Sequence, residues 1–378
     1  GEPGIVRVLL HKRGGMLGST VSPLRGRRTT RRIRIYDELK SNAYSYIMTV
    51  KFIDLFCGIG GFHQGIKNVI SDSECVLASD FDKNVQKVYE DNYGVKVQGD
   101  ICEIIDVPEC DMICGGFPCQ PFSVAQWKDA KAFKDPRGNM FFEIMRLVDI
   151  RKPSCIFLEN VANLTTIENG EVIKTIMESL ESRGYHTSYK ILNVKNFGIP
   201  QNRERVYIVA SLNKTFDFSV LESTRIGSSI TDILDETSDE IIDSQKYTII
   251  DDCHVKQQNK SGLIFKGYIN GKIRKAGTRE NTEHLSRVHK QPMRIYSTNG
   301  THPTLSASES SGRYHIYDER LGIVRKLSLK ECYKLMTYPD TFKIAGVKGI
   351  AYKQIGNSVC VKVIESIIRE MKTQLLIN

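Results

Sequence analysis

The sequence predicts an α/β protein built on a largely parallel sheet. Three observations carry that expectation. From Lys51 onward, short apolar runs alternate with amphipathic stretches; the first run is followed by a glycine-rich turn; and the alternation lasts until about residue 211. In order, the pattern predicts a strand over 52–56, the turn over 57–61 and a helix over 62–69. A strand over 75–79 and a helix over 84–92 follow, then a third strand ending at 99–101. Next come a strand over 111–114, a helix over 140–150, a strand over 155–158, a helix over 172–182, and strands over 189–192 and 205–210. Residues 213–325 are polar and rich in Gly, Thr and Asn, which predicts a second, smaller and irregular β-containing domain. Helical periodicity returns at Leu329 and closes the chain over 359–376. The expected units are therefore 1–47, 48–212, 213–325 and a C-terminal segment, 326–378, that returns to the first domain. No internal repeat is visible.

At 378 residues the chain is long enough for two or three domains. No apolar run approaches the roughly 18 residues a membrane span needs, and no signal-peptide pattern opens the chain, so a cytoplasmic protein is expected. Ten cysteines are scattered without a CxxC pair or zinc spacing. Free thiols in a reducing compartment are expected, with no structural metal.

The formal charge of +9 is unevenly placed, because residues 1–47 hold ten Lys/Arg against three acids. That segment lacks helical or strand period. It reads as a disordered basic extension, or as a stretch appended by cloning upstream of Met48; the functional alternative is an arm that binds phosphates non-specifically.

Two local patterns carry chemistry. The first is Gly116-Phe117-Pro118-Cys119-Gln120-Pro121-Phe122-Ser123, directly after the apolar run at Met112. Glycines end the strand and a proline stiffens the backbone beside the thiol of Cys119. A lone cysteine is more often a buried core residue than a nucleophile. Here the neighbours favour a nucleophile, whose thiolate is the attacking form. The second is the turn Phe56-Cys57-Gly58-Ile59-Gly60-Gly61, where missing side chains let backbone N–H groups and a helix start approach a ligand. Asp80, 19 residues after Gly61, ends the next strand and is suited to ribose hydroxyls. Phe81 would lie against an adenine face, and Asp100, beside Ile101, would accept from its amino group. The turn lacks the dinucleotide spacing, which favours a nucleoside cofactor without a pyrophosphate.

Five blocks in this order resemble the bacterial-type DNA (cytosine-5)-methyltransferases: Asp54 to Gly61, Gly116 to Ser123, Glu159-Asn160-Val161, Gln201 to Arg205, and Gln354 to Val359. The resemblance covers about Lys51 to Ile377 and is weakest over 213–290. It implies a Rossmann-like S-adenosylmethionine-dependent domain joined to a target-recognition domain. The implied reaction methylates carbon 5 of a cytosine flipped out of duplex DNA, through a Cys119 adduct at ring carbon 6. Glu159 would protonate or hydrogen-bond ring nitrogen 3, its pKa raised by desolvation, with Arg203 and Arg205 facing one side of a strand to orient base and acid.

By the same resemblance, S-adenosylmethionine would be held by Phe56, Gly58, Ile59, Gly60, Asp80, Phe81, Asp100, Ile101, Pro118, Met140, Asn357 and Ser358. The basic stretch 123–139 resembles the family's mobile loop. DNA contacts are expected from Ser123, Gln126 and Arg137 of that loop, and from Gln201, Gln291, Arg294, Tyr296 and Thr304. Gln291 would fill the space left by the flipped base, Arg294 would read a guanine edge and Thr304 would meet a phosphate. Lys272, Arg274, Lys275 and Arg279 form a further phosphate-contacting patch. No metal or membrane is implied. The expected protein is a bacterial, nucleoid-associated monomer with a cognate restriction endonuclease as candidate partner. The competing readings are a tRNA-methylating relative, a catalytically silent DNA-binding relative, and a nicotinamide dehydrogenase that would explain only the Gly58 turn and Asp80.

Overall fold

Strand β1 (Lys51–Leu55) alternates its side chains between two cores, Phe52 to one and Ile53 and Leu55 to the other. A strand buried on both faces requires a layer of helices on each side. The computed structural model describes residues 49–118, 140–221, 227–235, 240–271, 281–307, 313–374 and 376–377, and residues 48–378 form one unit.

A glycine-ended turn leads from β1 into α1 (Gly61–Val69). Then come β2 (Glu74–Ser79), α2 (Lys83–Tyr93), the short β3 (Val97–Gln98) and β4 (Met112–Gly116). Helix α3 (Met140–Arg151), β5 (Cys155–Val161), α4 (Glu171–Glu181), β6 (His186–Asn193), β7 (Gln201–Asn202) and β8 (Glu204–Ser211) complete this part. The main sheet has seven strands in the order β3-β2-β1-β4-β5-β8-β6. All run parallel except β8, which is antiparallel to both β5 and β6. Helices α3 and α4 cover one face, while α1 and α2 cover the other. The crossovers that leave β1 and β4 therefore lie on opposite faces, and a crevice opens between the carboxyl ends of these two neighbours. Gly115 permits their close approach, since a Cβ there would stand 2.4 Å from the Leu55 carbonyl oxygen.

A second, five-stranded sheet, β14-β13-β11-β10-β9, uses β9 (Tyr247–Ile249), β10 (Phe265–Ile269), β11 (Arg294–Ser297), β13 (His315–Asp318) and β14 (Ile323–Lys326). Strand β12 (His302–Pro303) instead pairs with β7. Helices α5 (Leu329–Leu335), α6 (Lys348–Asn357) and α7 (Val361–Thr373) then return to the α1 side of the main sheet. Helix α5 starts at a capping box in which Ser328 and Glu331 each bond the other's backbone N–H. The Glu331 carboxylate also meets buried Arg325 at 2.9 Å, and Arg325 meets Asp318 at 3.1 Å. This buried ionic group pins β13 and β14 to α5.

The expected third strand is shorter than the pattern suggested. It ends at Gln98, and Asp100 caps a 3-10 turn over Ile101–Glu103. Among the described residues no helix is long and apolar enough to cross a membrane.

Candidate functional site

The turn after β1 is shaped by left-handed backbone at Phe56 (φ 52°), Gly58 (φ 53°) and Gly60 (φ 85°). At Gly60 a Cβ would also collide with the Tyr93 ring at 2.1 Å, so only glycine fits. The turn is tied to the next strand end: Cys57 N–H donates to the Ser79 carbonyl at 3.0 Å, and Gly58 N–H donates to Asp80 Oδ2 at 3.0 Å. Asp80 Oδ1 accepts from Asp82 N–H at 3.0 Å. Burial raises the Asp80 pKa, while these two N–H bonds pull it down. Beside it, Phe81 is 80% exposed. An exposed aromatic ring next to a half-buried carboxylate, over a glycine turn, fits the nucleoside of S-adenosylmethionine: the acid suits ribose hydroxyls and the ring suits a base face.

Other expected cofactor residues fall in different surroundings. The side chains of Ile59 and Ile101 are buried in the two cores, so any contact they make with a ligand is through their backbone. Asp100 is exposed, and one oxygen accepts from Cys102 N–H at 3.0 Å. Met140 is half-buried at the start of α3, while Pro118 and Asn357 are exposed. Ser358 is buried, its hydroxyl 2.6 Å from the Tyr338 hydroxyl, which makes it a packing residue beneath Gly61 rather than an open contact.

At the adjacent strand ends, β5 places Glu159 opposite Gly116 of β4. A Cβ at Gly116 would lie 3.2 Å from Glu159 Oε2, so the carboxyl faces the end of β4, three residues before Cys119. Cys119 itself lies outside the described residues, as do Ser123, Gln126, Arg137 and the patch at 272–279. Glu159 is buried and forms an ion pair with Arg205 Nε at 3.1 Å. Burial raises its pKa; the charges of Arg205 and Arg203 oppose that but do not overcome it. Asn160, to which the sequence reading gave no role, donates its amide to the Phe117 carbonyl at 2.9 Å and so ties β5 to the segment leading into Cys119. Its place in the Glu159-Asn160-Val161 block was the available signal.

Arg203 and Arg205 do not do the same thing. Arg203 lies between β7 and β8, 2% exposed, with its guanidinium donating to the carbonyls of Leu305 (3.1 Å), Gly356 (3.3 Å) and Ser358 (2.7 Å). Burial, then the Arg205 charge, pull its pKa down to about 9. The expectation that both arginines orient the base is corrected for Arg203, which is buried with both terminal NH groups spent on backbone carbonyls. Gln201 is corrected for the same reason. It is fully buried; its Oε1 accepts from Leu305 N–H at 3.0 Å and its amide donates to the Leu335 carbonyl at 3.2 Å. Gln201 and Arg203 thus pinch both polar backbone groups of Leu305.

Across from these lies an open cleft of about 510 Å³ whose lining includes Arg205, Gln291, Thr304, Leu305 and Asn357. Gln291 is exposed, and Arg294 is half-buried with Nε donating to the His289 carbonyl at 3.1 Å. The Thr304 hydroxyl donates to the Asn202 carbonyl at 2.7 Å. Tyr296 is 1% exposed, packed edge-on against Tyr314, so its expected DNA contact is corrected to a core role. Cys57, Cys75, Cys114, Cys155, Cys332 and Cys360 are buried. Burial pushes all six thiols up, away from a reactive thiolate, Cys75 and Cys155 to about 12. Among the described residues no group of three or more His, Cys, Asp or Glu could hold a metal ion.

Residues 50–373 match the family model described as C-5 cytosine-specific DNA methylase. The chain is 33% identical over 329 residues to the Type II methyltransferase M.HhaI of Haemophilus parahaemolyticus, covering 84% of this chain and 93% of that protein. It is 36% identical over 329 residues to the Type II methyltransferase M.NlaX of Neisseria lactamica, covering 86% and 97%. Among solved structures, the S. pombe Dnmt2 methyltransferase shares the fold with a TM-score of 0.62 at 19% identity, over 86% of this chain and 99% of that one.

Proposed function

The chain belongs to the C-5 cytosine-specific DNA methylase family, and from that premise we propose that it methylates carbon 5 of a cytosine flipped out of a specific duplex DNA sequence, with S-adenosylmethionine as donor and a transient covalent bond from Cys119. The observation that carries this reading is the buried, Arg205-paired Glu159 facing the end of β4, from which the chain runs directly into Pro118 and Cys119.

Cytosine carbon 5 is too weak a nucleophile to attack a methyl sulfonium unaided. The Cys119 thiolate adds to ring carbon 6, and the electrons this displaces are accepted toward ring nitrogen 3, where Glu159 holds a proton. Burial keeps that proton on Glu159 at higher pH than an ordinary carboxylate allows. Arg205 fixes the carboxyl's orientation. When bound, S-adenosylmethionine supplies an electrophilic methyl group; Gly58, Gly60, Asp80 and Phe81 would hold its nucleoside. After methylation, loss of the carbon 5 proton expels Cys119 and restores the aromatic ring. Extruding the base costs a few kcal/mol, and Gln291, exposed on the cleft that Arg205 also lines, fills the space it leaves. Arg294, beside that turn, reads a base edge and Thr304 stands near the phosphates. The expected units carry over to this reading: 48–212 and 326–378 perform chemistry and 213–325 selects the sequence.

The test is transfer of labelled methyl groups to duplex DNA and, in parallel, to tRNA, followed by sequencing for 5-methylcytosine. Methylation of one duplex sequence context is expected, together with a stable adduct on DNA containing 5-fluorocytosine that is absent from Cys119→Ser. Methylation of tRNA alone, or no Cys119-dependent adduct, overturns the reading.

A further inference from the structure

The turn that carries Gln291 is held on one side by the His315 imidazole, and the segment leading into it is fixed by His289. Gln291–Met293 is a single 3-10 turn with Pro292 inside it, closed by Met293 N–H donating to the Lys290 carbonyl at 2.9 Å. Proline fixes φ, so the turn has few alternative shapes. His315 Nδ1 stands 3.2 Å from the Pro292 carbonyl. A carbonyl only accepts, so Nδ1 carries the proton. His315 is itself fixed, because β13 pairs with β11 on one side, setting it opposite Ile295, and with β14 on the other, opposite Lys326. On the entry side, His289 Nε2 donates to the Glu283 carbonyl at 2.8 Å and the ring stacks on Tyr268 at 4.1 Å and 17°. The His289 carbonyl accepts from Arg294 Nε, closing the brace across the turn. Burial lowers both histidine pKa values, His315 to about 4, so each ring is neutral at pH 7 and its donor is set by tautomer.

We infer that His315 is a positioning residue for base extrusion: by holding the Pro292 carbonyl it sets Gln291 toward the cleft before DNA arrives. This rests on the reading of Gln291 given above. A turn already in its working shape loses little freedom when it enters the duplex, and that saving is spent where extrusion is costly. A paired target should therefore need the brace, whereas a target cytosine opposite an abasic site, already cheap to extrude, should not.

The experiment measures kcat/KM on two synthetic duplexes carrying the methylated sequence, one fully paired and one abasic opposite the target cytosine. His315→Leu is expected to lose about three- to tenfold on the paired duplex, the worth of one hydrogen bond, and less than twofold on the abasic one. His315→Asn, whose side-chain amide offers a donor near the position of Nδ1, is expected to recover most of the loss. Equal losses on both duplexes, or no recovery with Asn, overturn the brace. Gln291→Ala is the control. If it shows no preference for the abasic duplex, the gap-filling role of Gln291 fails and the inference falls with it; if Gln291→Ala shows the preference and His315→Leu does not, the brace alone is wrong.

Discussion

Glu159 and Arg205 meet diagonally across the antiparallel pair β5 and β8. The register sets Glu159 opposite Tyr207 and Arg205 opposite Val161, yet Arg205 Nε reaches the carboxylate at 3.1 Å. A carboxyl whose pKa is raised by burial in spite of an adjacent guanidinium is held where its charge is poorly solvated.

From this follows an opposition between stability and turnover. The unfolded Glu159 loses its proton at the ordinary carboxylate pKa and the folded one only higher, so its contribution to stability is fully present below the first value and is lost as pH rises through the second. Glu159→Gln removes that loss. At pH 8 the variant is expected to melt no lower than wild type, measured by thermal unfolding, while kcat falls by about 10² or more. Wild-type turnover should decline toward alkaline pH as Glu159 ionises, and that limb should be missing from the residual activity of the variant.

Cys119→Ser is expected to bind duplex DNA within about threefold of wild type and to turn over below about 10⁻³ of it. Filter binding and methyl transfer measured together separate the two. Parallel loss of both would mean that Cys119 has a structural role.

The two arginines should respond differently to replacement by lysine. Arg203→Lys leaves one ammonium to serve three buried carbonyls, at an expected cost of about 2–4 kcal/mol in denaturant unfolding. Arg205→Lys, near the mouth of the cleft, should cost under about 1 kcal/mol and act instead on kcat. Equal stability losses would contradict the separate roles.

Asp80→Ala removes the acceptor that holds Gly58 N–H, along with the carboxylate proposed for the ribose. Calorimetry should show S-adenosylmethionine binding weakened by about tenfold or more, the worth of a charged hydrogen bond. Unchanged affinity would place the nucleoside elsewhere.

Much of the main sheet was legible because its strands are short apolar runs bounded by glycine, as at Ile53 and Leu55 before the Gly58 turn, and its helices keep a 3.6 period. Local pattern failed where a long-range partner decides a side chain's fate. Gln201, Arg203 and Tyr296 are polar or amphipathic in a region of such residues, and the sequence could not show that Leu305, some hundred positions beyond Gln201 and Arg203, would take two of them out of solvent. Asn160 was visible in its motif, but the Phe117 carbonyl it holds was not.

By itself the sequence determined the α/β class, the family and the presence of a thiol, an acid and a glycine turn in a fixed order, since these rest on periodicity and on short motifs read within one segment. Only the tertiary structure decided that Glu159 faces the end of β4, that Arg205 rather than Arg203 pairs with it, and that Gln291 looks into a cleft with a histidine at its back. Those outcomes depend on strand order, register and burial, which bring residues distant in the chain within hydrogen-bonding reach and set the solvation of each charge.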